Sequence, residues 1–212
     1  MSATLQWMRY ADTVSLRERK RARTRLALIT VAADLFEQNG YDETTVADIA
    51  AAAEIGTRTF FSYFASKEDL LFPDADSRVE ATIAALADRD PDDRPIDVLM
   101  RVLSESKEVS DDIIGRLTPL RLRLAQSVPA VRGRALQIQF DAEQRIAELL
   151  AEAFPDQLNS VTSRVLTGAF VGAVRGAAQG VVDRGRDLSV LERRAAAREA
   201  VAETLAPLLE RT

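Results

Sequence analysis

A chain of 212 residues, 47% hydrophobic and 29% charged, has the composition of a globular protein with length for one or two domains around a sizeable core. It contains no cysteine and no histidine, which excludes disulfides, thiolate nucleophiles, imidazole bases and the usual zinc ligand sets. The net charge of −5 speaks against indiscriminate coating of nucleic acid, and neither a signal peptide nor an uncharged apolar run of spanning length is legible, so a cytoplasmic protein with no membrane partner is expected.

Residues 1–18 are expected to be a flexible N-terminal segment, with Trp7 and Tyr10 the only large side chains before Leu16. From Leu16 to Arg25 the balance inverts: Arg17, Arg19, Lys20, Arg21, Arg23 and Arg25 stand against Glu18 alone. The ordinary fate of such a run is a solvated basic tail. Its place just ahead of the pattern that follows makes Arg21, Arg23 and Arg25 candidates for contact with phosphates. A helix beginning at about Arg19 or Thr24 and ending at Asn39 is predicted by Leu28, Ala32, Leu35 and Phe36, spaced i, i+4, i+7 and i+8. Gly40 is placed to end it in a left-handed conformation.

Thr45 and Asp48 make a capping box, which starts a second helix at about Val46 with Ile49, Ala50 and Ala53 on its apolar face. Glu54-Ile55-Gly56 interrupts it, and Thr57-Arg58-Thr59 opens a third helix. Phe60, Phe61 and Phe64 are bulky and apolar there, while Thr57, Arg58, Thr59, Ser62 and Tyr63 all carry hydrogen-bonding groups and no carboxylate interrupts them. A short helix with an aromatic inner face and an acid-free polar outer face suits a DNA major groove, where phosphates repel acids.

The set Thr44-Thr45-Val46, Ile49-Ala50, Ala53, Ile55, Thr59-Phe60-Phe61, Tyr63-Phe64, Ser66-Lys67-Glu68 and Leu70-Leu71 resembles the N-terminal DNA-binding domain of the TetR family of bacterial transcriptional regulators. The resemblance covers roughly residues 24–72. It implies an all-α protein: an N-terminal three-helix helix-turn-helix DNA-binding domain at 19–72, then a C-terminal helical ligand-binding and dimerisation domain at 73–212. Thr59 matches the family's base-contacting threonine, Thr57 and Arg58 its operator-specifying positions, and Phe61 a position commonly occupied by a tyrosine that packs on the DNA backbone. Tyr63 matches a position where the family often contacts phosphate, Thr45 and Lys67 are read as further phosphate anchors, and Ser62 lies on the same polar face. Two departures fall in the turn: Glu54 stands where the family usually has glycine and Gly56 where it usually has serine. A glutamate forced to positive φ is strained by about 1 kcal/mol or more.

Ala65-Ser66 reads as the cap of a helix that starts at Lys67, is irregular at Pro73 and continues to about Asp88. A lysine in a first helical turn opposes the helix dipole, which favours a phosphate beside Lys67. After the polar loop 88–95 only helical patterns follow: Ile96 to Leu103, Ile113 to Leu124, Pro129 to Phe154, Leu158 to Val182 and Leu191 to Leu209. In the fourth of these, Gly168, Gly172, Gly176 and Gly180 recur every four residues. Four glycines inside one helix cost roughly 4 kcal/mol relative to alanine, so close approach by another helix is implied. That helix belongs either to the same subunit or to a second copy; the resemblance, to a family that dimerises through its last two helices, favours a homodimer.

Asp92-Asp93 and Asp111-Asp112 are weighed as acid pairs or hard-cation ligands, but both lie in cap and loop contexts where aspartate serves the backbone. No phosphate loop, nucleophile elbow or metal signature occurs, so neither a cofactor nor catalysis is expected. The expectation is a repressor that binds a double-stranded DNA operator as a homodimer and is released by a small hydrophobic effector, acyl-CoA or lipid-like by analogy with relatives. A helical scaffold with a basic arm is the alternative, and it leaves the acid-free face of residues 57–63 unexplained.

Overall fold

The computed structural model describes residues 15–105, 111–184 and 190–209, and among them every regular element is helical. Trp7 and Tyr10 lie outside the described residues. Contacts divide the chain into two compact units, one made of residues up to Pro73 together with 116–127, the other of residues 74–115 and those from Val128 onward. Residues 116–127 thus pack with the first unit, whereas the sequence reading placed them in the C-terminal domain.

In the first unit, α1 spans Leu16–Asn39, α2 Val46–Ala52 and α3 Thr57–Phe60, followed by a 3-10 turn at Glu68–Leu71. The start of α1 precedes the expected one because Ser15 and Glu18 form a capping box: the Ser15 hydroxyl accepts from the Glu18 N–H at 3.2 Å and the Glu18 carboxylate accepts from the Ser15 N–H at 2.8 Å. The basic run is therefore helical from Leu16 on. Gly40 ends α1 at φ 91°, ψ 159°, a positive-φ region open to glycine but distinct from the left-handed helical cap expected. The Thr45–Asp48 capping box starts α2 as the sequence requires.

Leu28, Ile29, Ala32, Ala33 and Phe36 of α1 are buried with Ile49 and Ala50 of α2, Phe60 of α3, and Phe64, Leu70 and Leu71 beyond it. Leu117 and Leu120 of the 116–127 segment are buried as well. The helix expected from Lys67 to Asp88 is instead two elements, the 3-10 turn and α4 (Ser77–Ala87). Pro73 supplies the reason: it drives Phe72 out of the helical region, to φ −128°, ψ 53°.

In the second unit, α4 is followed by α5 (Pro95–Glu105), α6 (Asp111–Ser127, whose last twelve residues group with the first unit), α7 (Pro129–Ala153), α8 (Ser160–Arg184) and α9 (Val190–Leu209). Helix α8 packs between α7 and α9, and α4 lies against α5 and α7. Their shared core is Ala85, Leu86, Ile96, Val98, Leu99, Ile146, Leu150, Phe154, Phe170 and Val201. Pro129 opens α7 at its first turn, where no N–H is missed. Asp93, one of the acids weighed for chemistry, accepts from the Asp90 N–H and from Arg101, a loop-fastening role. The side chains of Asp111 and Asp112 lie outside the described residues.

Candidate nucleic-acid interface

The turn between α2 and α3 is built on local hydrogen bonds. The Ile55 N–H donates to the Ala50 carbonyl at 2.9 Å and the Glu54 N–H to Ala51 at 3.0 Å, the paired bonds of a Schellman motif. That motif requires positive φ at its middle residue, and Glu54 adopts 56°. Gly56 then serves as the N-cap of α3 with no side-chain hydrogen bond, leaving the start of the helix to the backbone alone. Helix α3 is a single turn, and its chain runs on through tighter bonds, Ser62 N–H to Thr59 and Tyr63 N–H to Phe60.

Phe60 is fully buried and Phe64 nearly so, with their ring centroids 6.0 Å apart. These two rings bolt α3 to the unit, as their spacing anticipates. The opposite side is open: Thr57, Arg58, Thr59 and Ser62 are exposed, Phe61 is 56% exposed with its edge against Phe60, and Tyr63 is half-buried. Thr45 is exposed at the head of α2, its hydroxyl bonded to Asp48, which lowers the Asp48 carboxyl below its ordinary pKa. Residues 57–63 therefore carry exposed polar side chains with a single cation, Arg58, and no acid, while Thr45 is exposed at the head of α2.

The basic residues separate into two kinds. Arg23 is exposed on α1. Arg25, by contrast, donates to the carbonyls of Tyr63 at 3.5 Å and Pro73 at 3.2 Å, and its guanidinium lies 4.5 Å from the centre of the Phe64 ring. Arg21 is exposed but donates to the Ser62 carbonyl at 3.1 Å and lies 5.0 Å over the Tyr63 ring. Lys67 departs most from expectation. Its ammonium donates to the Tyr41 and Thr44 carbonyls at 2.7 and 2.9 Å and sits 4.0 Å from the Tyr41 ring, so its charge is directed into the α1–α2 loop. The reason is that Lys67 precedes a 3-10 turn and not a helix, which removes the dipole argument for a phosphate.

Sequence reasoning did not find the network around Lys67. The Tyr41 hydroxyl donates to Glu68, and burial followed by that acid partner raises the tyrosine pKa. For Glu68, burial alone acts upward, but hydrogen bonds from Tyr41 and Ser66 and the Lys67 charge outweigh it and lower the carboxyl. Asp69 accepts from the Ala65 and Ser66 N–H groups at 3.0 and 3.2 Å, and Arg121 donates to the Leu71 carbonyl at 3.5 Å while lying over Phe72.

On α8, the expected glycine ridge faces open space. No atom among the described residues lies within 4 Å of where a Cβ would stand at Gly168, Gly172, Gly176 or Gly180. Val161 and Val165, two turns and one turn before the ridge, are 67% and 66% exposed. Thr167 is fully buried, and its hydroxyl has no hydrogen-bond partner among the described residues. A crevice of about 250 Å³ in the same unit is lined by Met100, Leu103 and Ser104 of α5 and Arg198, Glu199 and Ala202 of α9. No group of three or more metal-binding side chains occurs among the described residues, and no described helix is long and apolar enough to cross a membrane.

The chain is similar to known proteins over part of its length. Residues 28–72 match the pattern of bacterial regulatory proteins of the tetR family. The HTH-type transcriptional regulator TcmR of Streptomyces glaucescens is 37% identical over 144 residues, which cover 64% of this chain and 62% of TcmR. HbdR of Aromatoleum sp. strain CIB, also an HTH-type transcriptional regulator, is 40% identical over 45 residues, 21% of this chain and 20% of HbdR. Among solved structures, FadR of Thermus thermophilus, a TetR-family repressor in complex with lauroyl-CoA, aligns over 88% of this chain and 93% of its own at 24% identity and a TM-score of 0.53. A TetR-family regulator from Syntrophomonas wolfei aligns over 88% and 96% at 20% identity and a TM-score of 0.57. These structural likenesses show the fold, and the family pattern at residues 28–72 falls on the helix-turn-helix. Residues 28–72 are thus similar to the DNA-binding part of TetR-family bacterial transcriptional regulators, and the chain spans less than two thirds of the length of TcmR.

Proposed function

We propose that the protein is a transcriptional repressor that binds a pseudo-palindromic operator as a two-fold dimer and leaves it when a small hydrophobic molecule binds the second unit. The observation that carries this reading is the exposed, acid-free face of residues 57–63 on a helix fastened from behind by Phe60 and Phe64. In the groove, Arg58 donates to a guanine edge, the methyl and hydroxyl of Thr59 meet a thymine methyl or a base edge, and Thr57 sets the neighbouring base step. Thr45, Ser62 and the Tyr63 hydroxyl anchor phosphates, with Phe61 packed on the sugar-phosphate backbone and Arg23 adding long-range attraction. Two such faces about one helical turn apart require a palindrome.

The open glycine ridge supports dimerisation. Within one subunit the glycines gain no close contact among the described residues, so their helical cost is offset only by a second copy. The crevice between α5 and α9, lined by Met100, Leu103 and Ala202, is the place in this unit where a small hydrophobic effector would lodge. Because FadR was solved with lauroyl-CoA, acyl thioesters are the first effectors to try.

The test is a salt-dependent binding assay on a palindrome from the DNA upstream of the protein's own coding sequence. Specific binding that is lost when Thr57, Arg58 and Thr59 are replaced by alanine, in a variant that stays folded, is expected. Undiminished binding by that variant shows that a different surface reads DNA.

A further inference from the structure

Arg25 lies in the basic run, yet its donors are spent inside the unit. One guanidinium joins the Tyr63 carbonyl, just past the turn that α3 opens, to the Pro73 carbonyl, where the chain first leaves the unit, and covers the face of Phe64. The last carbonyls after a helical turn lack intrahelical donors, so a planar fork that reaches two of them fixes the direction in which the segment leaves. Arg21, one turn earlier on α1, repeats the arrangement less tightly, on the Ser62 carbonyl and the Tyr63 ring. Phe64 is buried and cannot shift to follow another partner, so the position of residues 61–63 relative to α1 depends on these two guanidinium groups.

We propose that Arg25 is a positioning residue for the reading helix and not a phosphate contact. It acts through the Tyr63 and Pro73 carbonyls and sets the angle at which Thr57, Arg58 and Thr59 meet the groove. Arg21 shares that role while keeping an exposed edge, and of the three arginines Arg23 is the one that acts on phosphate by charge alone. The inference rests on the DNA-reading proposal above but makes a separate claim about where the guanidinium is held.

Charge and fork are separated by comparing Arg25→Lys, Arg25→Ala and Arg23→Ala. Operator and non-specific DNA are titrated at several salt concentrations, after thermal unfolding has shown each variant to be folded at the assay temperature. A phosphate contact gives a salt slope that falls by about 0.9 per protomer on removal of the charge, and lysine restores it. That behaviour is expected of Arg23→Ala. For Arg25 the expected result is an unchanged slope and a roughly tenfold or greater loss of operator affinity, the scale of one lost base contact, in both the alanine and the lysine variants. Non-specific binding stays near wild type, which separates mispositioning from unfolding.

A lysine variant that binds the operator like wild type, or an alanine variant whose slope falls by one contact, overturns the proposal. If Arg25→Ala does not fold, Arg25→Lys decides alone. Guanidinium NMR of the free wild-type protein is independent of DNA: slowed rotation about the Arg25 Cζ–Nε bond, against free rotation in Arg23, is expected, and free rotation in both overturns the placement. Failure of wild type to prefer any operator over non-specific DNA counts against the functional reading and leaves that NMR result to decide Arg25.

Discussion

Both units draw cations onto carbonyls, as Arg89 and Arg198 do in the second, but they differ in what they leave unmet. In the first, cations that sequence reading would leave in solvent are drawn onto carbonyls, Arg25 on Tyr63 and Pro73 and Lys67 on Tyr41 and Thr44. Its carboxylates do likewise, Glu68 on Tyr41 and Asp69 on two N–H groups. In the second, four helical glycines face open space, two valines beside them are exposed, and a buried threonine hydroxyl has no partner among the described residues. A unit whose polar groups are satisfied internally holds a rigid reading surface. Under the proposed function, the open costs of the second unit are what a second copy and a bound effector would meet.

The sharpest way to break the contrast is to remove the ring that fastens α3. Phe60 is fully buried, so Phe60→Ala is expected to destabilise the first unit by about 3–5 kcal/mol, the usual range for a buried phenylalanine. Denaturant unfolding checks it. A loss under about 1 kcal/mol would show that the aromatic core does not hold the reading helix.

A large substitution on the ridge should do the reverse. At Gly172 a Cβ meets nothing within 4 Å, so Gly172→Leu is expected to leave thermal unfolding of the isolated subunit unchanged or improved. Against a facing copy the same side chain overpacks at roughly 1–3 kcal/mol, which raises the dimer dissociation constant about tenfold or more. Sedimentation across a concentration series measures this. A variant that dimerises like wild type removes the ridge from the interface.

What the sequence made legible follows the range of the interaction. The Thr45–Asp48 box, the buried pair Phe60 and Phe64 and the positive φ at Glu54 are decided within a few residues, and all three are present. Ser15 and Glu18 carried the same kind of local signal, but the charged run after them has no apolar period to mark a helix, and the start of α1 was missed. The roles of Arg25 and Lys67 depend on acceptors 23 to 48 residues away, which no local pattern encodes. The long helices of the second unit were legible from period alone. Their partners were not, because an apolar stripe does not name what it packs against.

The Tyr41–Glu68–Lys67 network gives a pH-dependent way to test how self-contained the first unit is. The folded pKa of Glu68 lies below its ordinary value, so its contribution is present above the unfolded pKa and is lost as pH falls through the folded one. Glu68→Gln is therefore expected to be less stable than wild type at neutral pH, with the difference shrinking on acidification below the ordinary carboxylate range. Melting curves at a series of pH values read this directly. Parallel curves would mean that the carboxylate is not held by Tyr41 in solution.

The smallest expected effect concerns the turn itself. Glu54 is exposed and sits at φ 56°, the middle position of the Schellman motif that turns α2 into α3. A Cβ there costs about 1–2 kcal/mol, while glycine adds freedom to the unfolded chain that takes back up to about 1 kcal/mol. Glu54→Gly is thus expected to stabilise the protein by roughly 0.5–1 kcal/mol and to leave operator affinity unchanged, because the Ile55 and Glu54 N–H bonds that close the turn are made by the backbone. A raised melting temperature with unaltered binding supports a turn whose geometry is fixed by backbone bonds and merely strained by its side chain. A lowered melting temperature would mean that the glutamate contributes an interaction worth more than the strain, and the turn would then depend on a side chain that the family's usual glycine lacks.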